Sequence, residues 1–134
     1  MSAAPFEFEY KDYPLIPIKF LSKERETPII DALLDSVGDF IVIPKAIATY
    51  LGLKLVNAGV VDTAGGETNL YKSSVTMVIH NDDKEFTYGD LEIHVSGRDD
   101  IPVLLGRKPI FEDHDIIFKK HKNKLILKHI KTKH

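Results

Sequence analysis

The chain has no cysteine, which excludes a disulfide framework, a thiol nucleophile and a thiolate metal site together. No apolar run approaches the roughly 20 residues that a membrane-spanning helix needs. The N-terminal segment MSAAPFEFEYKD lacks a basic region followed by an apolar block, so it does not read as a signal peptide and a cytoplasmic location is expected. Glycine and proline are sparse, at 8 and 7 of 134 residues, and 43% apolar with 28% charged residues is ordinary for a globular protein. That length suits one domain with a real core and is too short for two.

Negative charge dominates all but the end of the sequence. Seven of the 18 Lys and Arg residues fall in 119–134, where there is no acid, so the first 118 residues carry 11 basic against 20 acidic side chains. The basic end reads as a solubilising strand and tail. Contact with nucleic acid would need aromatic residues among the lysines and a body that does not repel phosphate, and neither is present.

The apolar pattern has mostly the period of strands. Residues 1–12 read as an arm or a first edge strand. Leu15 to Leu21 and Pro28 to Leu34, around a polar turn at Ser22 to Glu26, form a hairpin whose second arm ends at Asp35. Phe40 to Ile43 is a short buried strand. Pro44 can occupy the first position of a helix over KAIATYLGL, with Ile47, Tyr50 and Leu51 at helical spacing and Gly52 as its stop. Residues 60–71 have the look of a mobile hairpin with Gly65-Gly66 at its tip, continued by Val75, Met77 and Ile79. The next strand returns through Phe86, Tyr88, Leu91, Ile93 and Val95 and shifts register or bulges near Gly89-Asp90. Ile101 to Leu105, a helical turn after Gly106, and a last hairpin of 114–118 with 125–130 complete the chain. Regular turns with little helix imply a closed or sandwiched β-fold.

The run ALLDSVGDFIVIP, residues 32–44, is the most informative stretch. An acid between two apolar segments must stay wet, find hydrogen-bond donors or share a proton with another carboxylate. About 30 residues later comes the Gly-Gly hairpin, and some 40 residues after that Leu104-Leu105-Gly106-Arg107. In this order and spacing, residues 13–130 resemble the retropepsin-like aspartic proteases, whose pattern is L-L-D-[ST]-G-A-D, an aliphatic run with Pro, a glycine-tipped flap and [IL]-[IL]-G-R.

The resemblance implies a mostly β, closed retropepsin-like (acid protease) barrel with one short helix after the active-site loop, spanning 13–130 and followed by a basic tail at 131–134. It matches Asp35 to the catalytic aspartate and Ser36 to the hydroxyl residue that ties the two active-site loops together across a dimer. It matches Asp39 and Arg107, the latter following Gly106, to an ion pair that braces the loop. Asp62, Thr63, Ala64, Gly65 and Gly66 become the flap over the substrate. The implied chemistry is attack of water on a peptide carbonyl between two aspartates, so a homodimer supplies Asp35 twice; the substrate is an extended peptide or unfolded protein, and no cofactor is required. The chain departs from the pattern at Val37, where the family has Gly, and at Gly38, where it commonly has Ala. A β-branched residue restricts the backbone and adds bulk beside the substrate. The alternative is therefore a dimer that keeps the fold to bind peptides or to assemble a complex.

Other patterns are weaker. Asp62-Thr63-Ala64-Gly65 is a second D-[ST]-x-G string, but it lacks the apolar run, Pro and helix that follow Asp35. A phosphate cradle at the same place would need a Lys-Ser or Lys-Thr pair and a helix. His80 and His94 could face each other on neighbouring strands, and His114 lies among Glu112, Asp113 and Asp115, yet no zinc-type spacing occurs.

Overall fold

The computed structural model of the protein describes residues 5–63, 66–82 and 84–130. The expected flap-tip residues Ala64 and Gly65 and the expected tail 131–134 lie outside them. Among these residues ten strands and one α-helix follow in chain order as β1 (Phe6–Glu9), β2 (Leu15–Leu21), β3 (Ile30–Leu34), β4 (Val42–Pro44), α1 (Lys45–Leu51), β5 (Val56–Thr63), β6 (Gly66–Asn81), β7 (Lys84–Ser96), β8 (Leu104–Leu105), β9 (His114–Lys119) and β10 (Lys124–His129). Among these residues no helix is long and apolar enough to cross a membrane.

Strands β2-β3-β8-β4-β7-β6 are hydrogen-bonded in that order, and pairing of β2 with β6 closes them into a barrel; β5 is added outside, on β6. Alternation decides which face of each strand turns inward. In β2, Ile16, Ile18 and Phe20 are fully buried while Leu15, Pro17, Lys19 and Leu21 stay half-exposed. Ala32, Ile43, Met77, Ile79, Ile93 and Leu105 fill the interior from the other strands. The short β8 crosses the sheet between two strands that come from much earlier in the chain. It runs parallel to β3 and antiparallel to β4.

The register shift in β7 falls where expected. Val75 pairs with Leu91 and Met77 with Tyr88, which leaves Gly89 and Asp90 together opposite Thr76, with Asp90 at φ 48°. Helix α1 differs from the expectation in two respects. Pro44 remains extended at ψ 151° and ends β4, because it continues the β4–β7 ladder opposite Ser96, so it precedes the helix and is not its first residue. The buried face is made by Ala48 and Leu51, whereas Tyr50 turns outward and donates its hydroxyl to the Glu26 carbonyl at 3.3 Å. Gly52 ends the helix as expected, at φ +70°, a conformation that costs glycine little.

The chain termini form a second sheet in the order β1-β10-β9. Phe6, Phe8, Leu125 and Leu127 join the same buried cluster as the barrel, so the first strand contributes to the core. Polar contacts lock this sheet to the barrel. Tyr88 on β7 donates its hydroxyl to Asp113 at 3.0 Å, and burial, helped by Asp113, pushes the Tyr88 pKa far up. His114 is 4% exposed and packs against Phe86 and His129. Its Nδ1 lies 2.9 Å from the Ile110 carbonyl; a carbonyl only accepts, so Nδ1 carries the proton in the neutral ring.

Burial lowers the His114 pKa below its ordinary 6.5, with repulsion from His129 adding to it and the Ile110 carbonyl and Asp113 opposing. A group whose folded pKa is depressed binds its proton more readily when unfolded. Stability from neutral His114 is thus fully present above about pH 6.5 and is lost as pH falls below it. Thermal melts should show Tm dropping from pH 7 toward pH 5, and His114→Gln, although less stable at pH 7, should flatten that slope.

Candidate active site

Asp35 immediately follows β3, at the point where the chain leaves the sheet. Its own N–H donates to the Leu105 carbonyl at 2.9 Å, so the insertion of β8 continues one residue beyond the strand. The loop then turns tightly around the carboxylate. Asp35 Oδ1 accepts hydrogen bonds from the N–H groups of Val37 at 3.0 Å and Gly38 at 3.3 Å. This is an Asx-type turn, in which the side chain satisfies backbone donors that would otherwise need water. Asp35 is half-buried, and Ser36 and Asp39 are exposed.

The chain returns past this loop after β8. Arg107 donates its N–H to the Gly38 carbonyl at 2.8 Å, and Lys108 donates to the Asp39 carbonyl at 2.9 Å. The Arg107 guanidinium also pairs with the Asp39 carboxylate. Both side chains are more than half exposed, so this pair contributes at most about 1 kcal/mol. The backbone bonds therefore hold the loop and the ion pair orients it. Gly106 allows the approach, since a Cβ there would lie 2.3 Å from the Phe40 carbonyl oxygen and 2.8 Å from that of Gly38. Gly38 is also tight, with Asp35 Oδ2 3.0 Å from where its Cβ would be.

Val37 occupies the loop tip and is 86% exposed. Among the described residues the non-glycine positions with positive φ are Asp82, Asp90 and Asn123, so Val37 lies outside the left-handed region. Asp62 and Thr63 end β5, and Gly66 begins β6 opposite Thr63. The hairpin they form is thus separate from the Asp35 loop in the sheet order. Gly97 N–H ties its returning arm to the end of β7 by a 2.9 Å bond to the Asn69 carbonyl.

Several neighbours of the loop carried no sequence signal beyond an apolar or charged side chain. A cavity of about 520 Å³ opens beside it, lined by Asp39, Phe40, Arg107, Lys108, Phe111 and Glu112. The Phe40 ring lies 4.5 Å from that of His94 and under Lys108. The Nε2 atom of His94 is buried without a partner, and burial, with Lys72, lowers the His94 pKa against the pull of Glu92. A larger groove of about 730 Å³ lies elsewhere, between β1 and the ends of β2 and β3, and none of its lining residues comes from the Asp35 loop.

The histidine pairing considered from sequence does not form. His80 stands opposite Glu85 and His94 opposite Lys72, at different ends of the β6–β7 ladder. His114 is inside the core with its Nδ1 on the Ile110 carbonyl and its ring against His129, and no group of three or more metal-binding side chains occurs among the described residues.

No protein-family model and no curated protein matches this chain. Among solved structures, a retropepsin-like aspartic protease from Rickettsia conorii is similar over 93% of this chain and 99% of its own, with 23% identity and a TM-score of 0.68. EIAV protease in complex with the inhibitor HBY-793 is similar over 78% of this chain and 91% of its own, with 16% identity and a TM-score of 0.54. The fold of this chain is that of the retropepsin-like aspartic proteases.

The two ways of bracing the loop differ in cost when removed. Gly106→Ala should lose on the order of 3 kcal/mol in urea unfolding, because two carbonyls must move. Asp39→Asn should lose less than about 1 kcal/mol in the same measurement.

Proposed function

We propose that the chain is one half of an aspartic endopeptidase, acting as a homodimer that cleaves extended peptide segments. The observation that carries this reading is the Asp35 carboxylate, held through Oδ1 by two backbone N–H groups on a loop clamped by β8, within a retropepsin-like fold. Holding one oxygen fixes the plane of the carboxylate and aims it. A single aspartate cannot be both base and acid, so a second Asp35 must come from a partner across a two-fold axis. The two carboxylates then hold one proton between them, which gives one base and one acid. The ionised member takes a proton from water as it attacks the peptide carbonyl, and the protonated member donates to the carbonyl oxygen. Ser36, exposed beside it, is available to tie the two loops together. The β5–β6 hairpin is the flap, and substrate lies beneath it as an added strand, recognised through main-chain hydrogen bonds and apolar pockets.

A second reading, a dimer that binds peptide without cutting it, is favoured by Val37. Its backbone carries no left-handed strain, so the objection narrows to bulk. An isopropyl group at the exposed loop tip occupies space through which substrate main chain would pass.

Incubation with unfolded polypeptide between about pH 3 and pH 7 separates the readings. The parent chain should cleave best at mildly acidic pH, and Asp35→Asn should lower the rate by about 100-fold or more. Cleavage that persists undiminished in Asp35→Asn would remove that residue from the mechanism. An inert parent together with a cleaving Val37→Gly variant would favour the binding module.

A further inference from the structure

The pairing of β2 with β6 that closes the barrel covers only four residue pairs, and Pro17 sets its limit. The ladder ends where Ile18 faces Ile79, and the residue before Ile18 is a proline with no N–H to extend it. Beyond that point residues 15–17 pair with β3 alone, and His80 and Asn81 pair with β7 alone. The end of β6 leans on β1 instead, where the Asn81 amide donates to the Glu7 carbonyl. The two strands therefore part, and the groove of about 730 Å³ lies between them with β1 along its side.

The chemistry of this groove selects what can fill it. Tyr13 and Ile29 line it while 67% and 47% exposed, which leaves apolar surface to cover. The carboxylates of Glu7, Glu9, Asp12, Asp31 and Asp82 line it against only Lys11 and Lys124, and none of the five is in an ion pair among the described residues. No three of them are close enough to hold a metal ion, so they are spread as a row along the groove. The backbone of β2 adds no donor. Pro14 gives its carbonyl to Leu34 beside the β2–β3 ladder, so by alternation Leu15 and Pro17 turn their backbone groups away from β3. Pro17 has no N–H, and Leu15 already donates its own to the Tyr13 carbonyl at 2.9 Å. A guest must bring donors and several positive charges, with apolar side chains between them.

We propose that this groove is a second binding site, separate from the Asp35 loop, for an extended peptide segment that carries lysine or arginine among apolar residues. Tyr13 and Ile29 take the apolar side chains, and the row of carboxylates takes the cations. A single divalent ion would need its ligands gathered, and a phosphate-bearing partner would be repelled. When the same chain also cleaves, the groove tethers an unfolded substrate outside the cleft and raises its local concentration there. That tethering role rests on the endopeptidase reading above; the binding site itself does not.

Fluorescence anisotropy with a labelled peptide of repeating Lys-Leu-Ser tests the site, on the Asp35→Asn chain so that the probe survives. The peptide should bind, and a version with glutamate in place of lysine should bind at least about tenfold more weakly. Adding Asp31→Lys should weaken binding of the lysine peptide at least about tenfold, and adding Tyr13→Ser at least about threefold. Glu92→Lys makes the same charge change on β7 outside the groove and should weaken it less than about twofold. If Asp31→Lys does not fold, Tyr13→Ser, at an exposed position, decides alone. Binding that the groove substitutions leave within about twofold overturns the proposal, and so does an equal loss in Glu92→Lys, which marks attraction to net charge alone. A parent chain that cleaves unfolded polypeptide but leaves the lysine peptide unbound removes this site and keeps the endopeptidase. Groove-dependent binding by a chain that cleaves nothing keeps the site and removes the endopeptidase.

Discussion

Everything at the candidate site depends on β8 lying between β3 and β4. Two residues of strand bring the Leu105 carbonyl to the Asp35 N–H, and the turn that follows returns two N–H groups to the carbonyls of Gly38 and Asp39. The loop is held on both sides by backbone hydrogen bonds to the strand and to the turn that follows it. The Asp39–Arg107 pair that marks the motif in sequence is too exposed to do this by itself. Gly106 is the steric condition, because any larger residue would push the returning chain off the loop.

The same returning segment leads to the terminal sheet, so the Asp35 loop and the outer strands are mechanically connected. Tyr88 with Asp113 and the buried His114 tie that sheet to the barrel. A buried neutral histidine loses stability as pH falls, so the fold itself sets a limit on the acid side.

Val37 illustrates how a departure from a motif changes meaning once its backbone is placed. In the linear pattern it stands where glycine is usual, which suggests a conformation forbidden to branched residues. In the fold its φ is not left-handed and its side chain is exposed to solvent. The question moves from whether the loop can form to what the isopropyl group touches when the cleft is filled.

Local features were legible in the sequence because they arise from neighbours along the chain. Alternation gave the buried Val75, Met77 and Ile79 of β6, Gly52 the end of α1, and Gly89-Asp90 the bulge in β7. The order of motifs around Asp35 added the fold class by resemblance. Periodicity misjudged Tyr50 and Pro44, since the face a short helix buries is set by the sheet beside it. What only the tertiary structure decided were the joins between distant segments. These are β8 inserted between β3 and β4, β1 paired with β10, and His94 beneath Phe40. No local pattern encodes such pairs, because their energy comes from surfaces that meet only after the barrel closes.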